Sequence, residues 1–206
     1  MDLETTGFVV LIVLGAIGFA LLLWVRCSDD GRDAIFLREA NRLGLTYSPH
    51  HNYAYAHAYE FLRTLDRGEN RYAFNVVSGN FKGHMVTLFD FHYETGRVRG
   101  GEDNKPVSHY LSVCVLTLTN TFPELLVTRE SLFSKLAQAV GSPDIDFESH
   151  EFSKQFHVRS ADRKFAYDFC NPRMMEYLLA NNGLNVEVES ASLALVFDTK
   201  LHPGFM

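Results

Sequence analysis

Residues 71–81, RYAFNVVSGNF, and 84–96, HMVTLFDFHYETG, decide the fold. Both runs alternate with period two and are rich in aromatic and β-branched residues, the pattern of half-buried strands. Gly79 and Gly83 stand between them, so the pair reads as a hairpin. In the second run Phe89, Phe91 and Tyr93 fall on one face, and Asp90 and His92 on the other.

Downstream, SHYLSVCVLTLT (108–119) is apolar on both faces and reads as a strand covered on both sides. ELLVT (124–128), after Pro123, reads as a shorter strand beside it. RESLFSKLAQAV (129–140) has a helical stripe with Thr128 as its cap, and FSKQFHVR (152–159) reads as a strand. Ser160 is placed to cap ADRKFAYDF. Asn171 followed by Pro172 opens a further helix with Met174, Met175, Leu178 and Leu179 facing inward. NVEVES (185–190) and SLALVFD (192–198) read as a closing antiparallel pair.

Upstream, DAIFLREANRL (33–43) is helical and Gly44 stops it. TYSPHHNYAYAHAYE (46–60) interleaves Tyr and His with small residues, and a short helical turn follows, ending at Gly68. GRVRGGEDNKP (96–106) is a polar, glycine-rich loop. Strands joined by hairpins, with helices set among them, predict an α+β fold with a mostly antiparallel sheet.

A different pattern occupies residues 8–25, FVVLIVLGAIGFALLLWV, with no charge and no proline. At ~1.5 Å per residue it spans ~27 Å, close to the ~30 Å hydrocarbon core of a bilayer. The preceding MDLETTG has no Lys or Arg, and no small-x-small site follows, so the run reads as an uncleaved anchor rather than a signal peptide. The predicted organisation is a tail at 1–7, a transmembrane helix at 8–25 and a soluble α+β domain at 26–206. Arg26, Arg32, Arg38 and Arg42 all lie on the C-terminal side. That bias places the N-terminus outside and the domain in the cytoplasm. Ala16 and Ala20 form a small-xxx-small pair suited to a homodimer of anchors.

Composition narrows the function. The formal charge is −6 and no Lys/Arg run occurs, which argues against nucleic-acid binding. Three widely spaced cysteines, Cys27, Cys114 and Cys170, indicate neither a disulfide framework nor a zinc motif. Cys114 and Cys170 sit in apolar settings and read as small hydrophobes.

No P-loop or nucleophile elbow is present, and no cofactor, catalytic residue or metal site is assigned. His57, His84 and His92 are weak metal candidates, because neutral imidazoles bind metals when several converge. His50 and His51 are adjacent and point apart in an extended chain. Asp144, Asp146 and Glu148 alternate and would share one face of a strand. His109 and Cys114, five apart, would lie on opposite faces of theirs. Arg159, Asp162 and Arg163 read as an ion-pair network at a helix start. Asp90 and His92 are the candidate functional polar pair, with no nucleophile beside them.

Phe152, Phe156-x-Val158, Ser160-x-Asp162, Ala166 and Pro172-x-x-Met175-x-x-Leu178 together resemble an uncharacterised family of bacterial single-pass membrane-anchored proteins, a domain of unknown function. FPELLVTRE (122–130), LFDFHYETG (88–96) and ANRLGLTYSP (40–49) fit the same resemblance. It implies architecture and no activity. Two readings follow. One is a non-enzymatic module that binds an unidentified protein or peptide beside the membrane, with its sheet or the aromatic segment 47–61 as the surface. The alternative is an enzyme of unrecognised type acting on a membrane-proximal substrate through Asp90 and His92.

Overall fold

The computed structural model describes residues 29–97, 106–129, 144–181 and 183–197. The expected anchor at 8–25, Cys27 and the expected helix at 129–140, apart from Arg129, lie outside them. Among the described residues no helix is long and apolar enough to cross a membrane.

The elements run α1 (Asp29–Leu43), β1 (Thr46–Ser48), α2 (Tyr53–Ala58), β2 (Glu69–Phe81), β3 (His84–Arg97), β4 (Pro106–Arg129), α3 (His150–Gln155), β5 (Phe156–Ser160), α4 (Arg163–Phe169), α5 (Pro172–Ala180) and β6 (Leu184–Phe197). The six strands form one sheet in the order β1-β2-β3-β4-β5, with β6 also on β4. Every pairing is antiparallel, so the chain is an α+β domain as its hairpin pattern predicts.

Local chemistry explains most of the boundaries. Gly44 takes φ +71°, and its amide reaches Asn41 O while Leu45 N reaches Ala40 O. These are the two bonds of a Schellman stop. The β2–β3 hairpin closes through Lys82 and Gly83, both with positive φ, between the paired residues Phe81 and His84. Such a two-residue turn matches the right-handed twist of the strands. Asn171 caps α5 by accepting from Met174 N at 3.1 Å, with Pro172 starting the helix.

Four boundaries differ from the sequence reading. Residues 108–128 are not two strands, because β4 runs unbroken for 24 residues through Pro123. Register shifts against β6 flank this stretch, between Thr117 and Phe122 and between Phe122 and Leu125. Proline is tolerated within a sheet at such irregularities. Likewise NVEVES and SLALVFD are arms of one strand, β6, and both pair with β4. Ser190, at φ +53°, marks the bend between them. Residues 152–155, expected to be extended, belong to a helix that begins at His150, because Ser149 accepts from Phe152 N and caps α3. Finally, Asp162, not Ser160, caps α4, and the Ser160 hydroxyl accepts from Asp162 N instead. Thr128 lies within β4, opposite His157.

The bends fold the sheet over. Asn185 Nδ2 donates to Val196 O at 3.2 Å, eleven residues along the same strand. A straight strand would separate them by ~36 Å. Across the bend the alternation inverts, as an irregular insertion in the ladder requires. On β4, Cys114 and Leu116 share a core with Leu125 and Val127, whereas Val113 and Val115 share another with Leu126. Phe152, Ala166 and Leu178 of α3, α4 and α5 cover the first core. Leu62 and Leu65, both without exposed surface, fill the second against Phe89, Phe91 and Ala194.

Candidate functional site

One face of the β2-β3-β4 ribbon gathers polar and aromatic side chains into rows. Cross-strand register sets Tyr72, His92 and Tyr110 abreast, then Phe74, Asp90 and Ser112, and at the open end Glu69, Glu94 and Ser108. The opposite face of β3 carries Phe89, Phe91 and Tyr93 into the core. The predicted two-faced character of β3 is therefore real, but the polar side is not solvated. Asp90 and His92 are 6% and 3% exposed.

Two irregularities in β2 frame these rows, between Glu69 and Tyr72 and between Phe74 and Val77. Asn70 and Asn75 adopt left-handed φ of 49° and 52° there, a conformation asparagine tolerates better than most residues. Each is tied to β3. His92 Nδ1 lies 3.1 Å from Asn70 O, and a carbonyl only accepts, so Nδ1 carries the hydrogen. Asn70 Nδ2 donates to Glu94 Oε1 at 2.8 Å. Asn75 Nδ2 donates to Asp90 Oδ2 at 2.9 Å and Ser112 Oγ to Asp90 Oδ1 at 3.2 Å. Tyr47 OH donates to Asn75 Oδ1 and Asp33 Oδ1, joining α1 and β1 to the same network. Asp90 and His92 thus face different partners and pin two irregular turns of the neighbouring strand.

The rings pack around Tyr72. His51 stacks on it with centroids 4.1 Å apart and His92 at 4.5 Å. Both are near-parallel to it, so they occupy its two sides. Tyr53 stands at 59° to Tyr72 and is 55% exposed. Burial, reinforced by Tyr110, Tyr53 and Glu94, raises the Tyr72 hydroxyl above its ordinary range. Segment 47–61 wraps the sheet edge, held by the Asn52–Ala73 bridge. Its His51 and Tyr53 reach the polar face, while Tyr59 stacks on Phe89 of the opposite face at 5.6 Å.

The other sequence candidates are dispersed. His84 and His92 share β3 but are eight residues, or ~27 Å, apart. His57 lies on α2, 3.6 Å from Glu60. These three imidazoles do not converge. Residues 144–148 form no strand. Asp144 instead accepts from Val158 N at 2.8 Å and meets His157 Nδ1 at 2.6 Å, fixing its segment onto β5. His109 stacks on Tyr93 at 4.8 Å, on the face away from Cys114. Cys114 and Cys170 are buried, and burial pushes both thiols up to about 12. Asp162 accepts from Phe165 N at 3.0 Å as the cap of α4.

A further buried carboxylate escapes the sequence reading. Glu187 is 2% exposed. Its Oε1 accepts from Arg63 N at 2.6 Å, and its Oε2 from Thr64 N and Thr64 Oγ1 at 3.1 and 2.6 Å. Arg63 in turn pairs with Glu124. The clamp fastens the 59–65 segment onto the folded-over sheet. In NVEVES the polar residues alternate with valine, which signals a solvated face. Only the fold-over brings that face inside.

No family model and no curated protein matches the chain. The uncharacterised membrane-anchored family suggested by its motifs therefore reduces to a likeness of structure. The fold is similar to that of the mycobacterial trehalose monomycolate transport factor A, TtfA, in its crystal structure, with a TM-score of 0.54 over 83% of each chain and 14% sequence identity.

Proposed function

We propose that the chain is a single-pass inner-membrane protein whose cytoplasmic domain is a non-enzymatic interaction module of an envelope-lipid transport system. The observation that carries this reading is the shared fold, which extends over 83% of both this chain and TtfA, a protein named as a transport factor. The apolar run at 8–25 and the arginines that follow it supply the tether and its orientation. The aromatic segment that wraps the sheet edge supplies a surface. Against the enzyme alternative stands the employment of Asp90 and His92 in holding β2.

A photo-crosslinking residue at Tyr53 or Phe61 in the full chain, irradiated in native membranes, tests the reading. A discrete adduct with a membrane protein of a lipid-export system is expected. Cells in which Asp90→Asn and His92→Gln abolish function, while that adduct persists and the domain stays folded, would instead establish the enzyme.

A further inference from the structure

The rings around Tyr72 stand beside the start of α1. Tyr47 OH lies 2.9 Å from Asp33 Oδ1 and 3.1 Å from Asn75 Oδ1, and Phe36 stacks on the Tyr47 ring. Ala40 packs with Leu45 and Val77. These contacts fix α1 to β1 and β2. Phe74, next to Asn75 in β2, meets His51 at 6.0 Å and Tyr110 at 6.3 Å. Tyr53 tilts against Tyr72 beside them. An unbroken run of contacts thus leads from the first turns of α1 to an aromatic surface. In it His51 is exposed, Tyr53 keeps 55% of its surface open, and Tyr72, Phe74 and Tyr110 are half-buried.

We propose that this aromatic surface lies against the headgroup layer of the bilayer that holds the chain's own anchor. The inference rests on the single-pass reading and adds a second membrane contact to it. Tether length selects the occupant. The apolar run ends at Val25 and α1 begins at Asp29, four residues that reach at most ~14 Å. Asp33 stands only ~6 Å further along the helix. The headgroup layer is itself ~5–8 Å thick on each side, so α1 carries these rings to the membrane surface. Tyr and His suit that layer, because an apolar ring with a polar tip matches the change from acyl chain to water. Docking on a short tether is intramolecular, so a modest preference of a few rings suffices. On this reading position 53 faces lipid. Phe61, whose ring lies beside Tyr59 on the opposite side of the sheet, faces the protein partner.

The test reads tryptophan quenching in the full chain, reconstituted into nanodiscs with a doxyl label either near the headgroup or near the end of the acyl chain. Glu69 and Glu94 at the open end of the ribbon would oppose anionic headgroups, so the lipid is phosphatidylcholine, which reads ring contact alone. The wild type reports the anchor through Trp24, its one tryptophan. Trp24→Phe with Tyr53→Trp reports the face. Trp24→Phe with Tyr167→Trp is the control, since Tyr167 is 47% exposed on α4, where Phe165 stacks on Phe122 at the far bend of β4. The shallow label should quench the indole at position 53 at least about twofold more than the deep label does, and should leave the indole at position 167 unquenched.

Quenching at position 53 no stronger than at position 167 overturns the proposal. If Trp24 is quenched in that case, the anchor stands and only the docked face falls. If Trp24 escapes quenching as well, the single-pass reading falls with it.

Discussion

Replacing Glu187 by alanine removes the clamp that holds the 59–65 segment to the folded-over sheet. Three hydrogen bonds vanish, from Arg63 N, Thr64 N and Thr64 Oγ1, and two backbone amides lose their acceptor. Bonds to a charged group contribute ~1.5–3 kcal/mol each. Against that gross loss stands the several kcal/mol that an ionised carboxylate costs on burial, which the variant no longer incurs. The net expectation is a destabilisation of ~2–4 kcal/mol, read as a shift of the denaturation midpoint of the full chain in mild detergent. Amide exchange at Arg63 and Thr64 should accelerate more than at Leu178, which lies in the other core. The Glu187→Ala, Thr64→Ala double-mutant cycle should show ~1–2 kcal/mol of coupling. The pH dependence has a definite sign. Burial, opposed by the Thr64 and Arg63 bonds, holds the Glu187 carboxyl above its ordinary value of 4.5. Its contribution is therefore fully present below that value and is lost as pH rises through the higher native one. Glu187→Gln, which does not titrate, should lack that slope. A midpoint shift below ~0.5 kcal/mol in Glu187→Ala, with Arg63 and Thr64 still protected, would refute the clamp.

Leu178, without exposed surface in the helix-covered core, should cost ~2–5 kcal/mol when replaced by alanine; calorimetry of the full chain measures it. Cys114 and Cys170, with thiols pushed up to about 12, should resist iodoacetamide at pH 8 until the protein is denatured, as mass spectrometry would show; rapid labelling of the native chain would contradict their burial. A periplasm-active reporter fused after Met206 should be silent, and activity there would reverse the proposed topology.

The sequence carries the local structure well and the global bend poorly, and particular residues show why. The hairpin at 71–96 is legible because its alternation, its Gly83 and its twist-compatible turn all act over a few residues. The start of α5 is legible because Asn171 and Pro172 satisfy and spare the first amides of their own helix. The continuity of β4 is not legible. Pro123 and the polar stretch 119–121 carry the usual marks of a break, yet register shifts against β6 let the strand pass through them. The same event reverses the meaning of polar alternation. Asn185 and Glu187 alternate with Val186 and Val188 like residues of a wet face, yet both are 2% exposed.

The candidate site shares that limit. Asp90 and His92 are recognisable as neighbours on one face, but their roles depend on Asn70 and Asn75, which approach them from another strand in backbone conformations the sequence does not announce. Asp90, with its two side-chain donors, and His92, with Nδ1 on a carbonyl, hold β2 and β4 against β3.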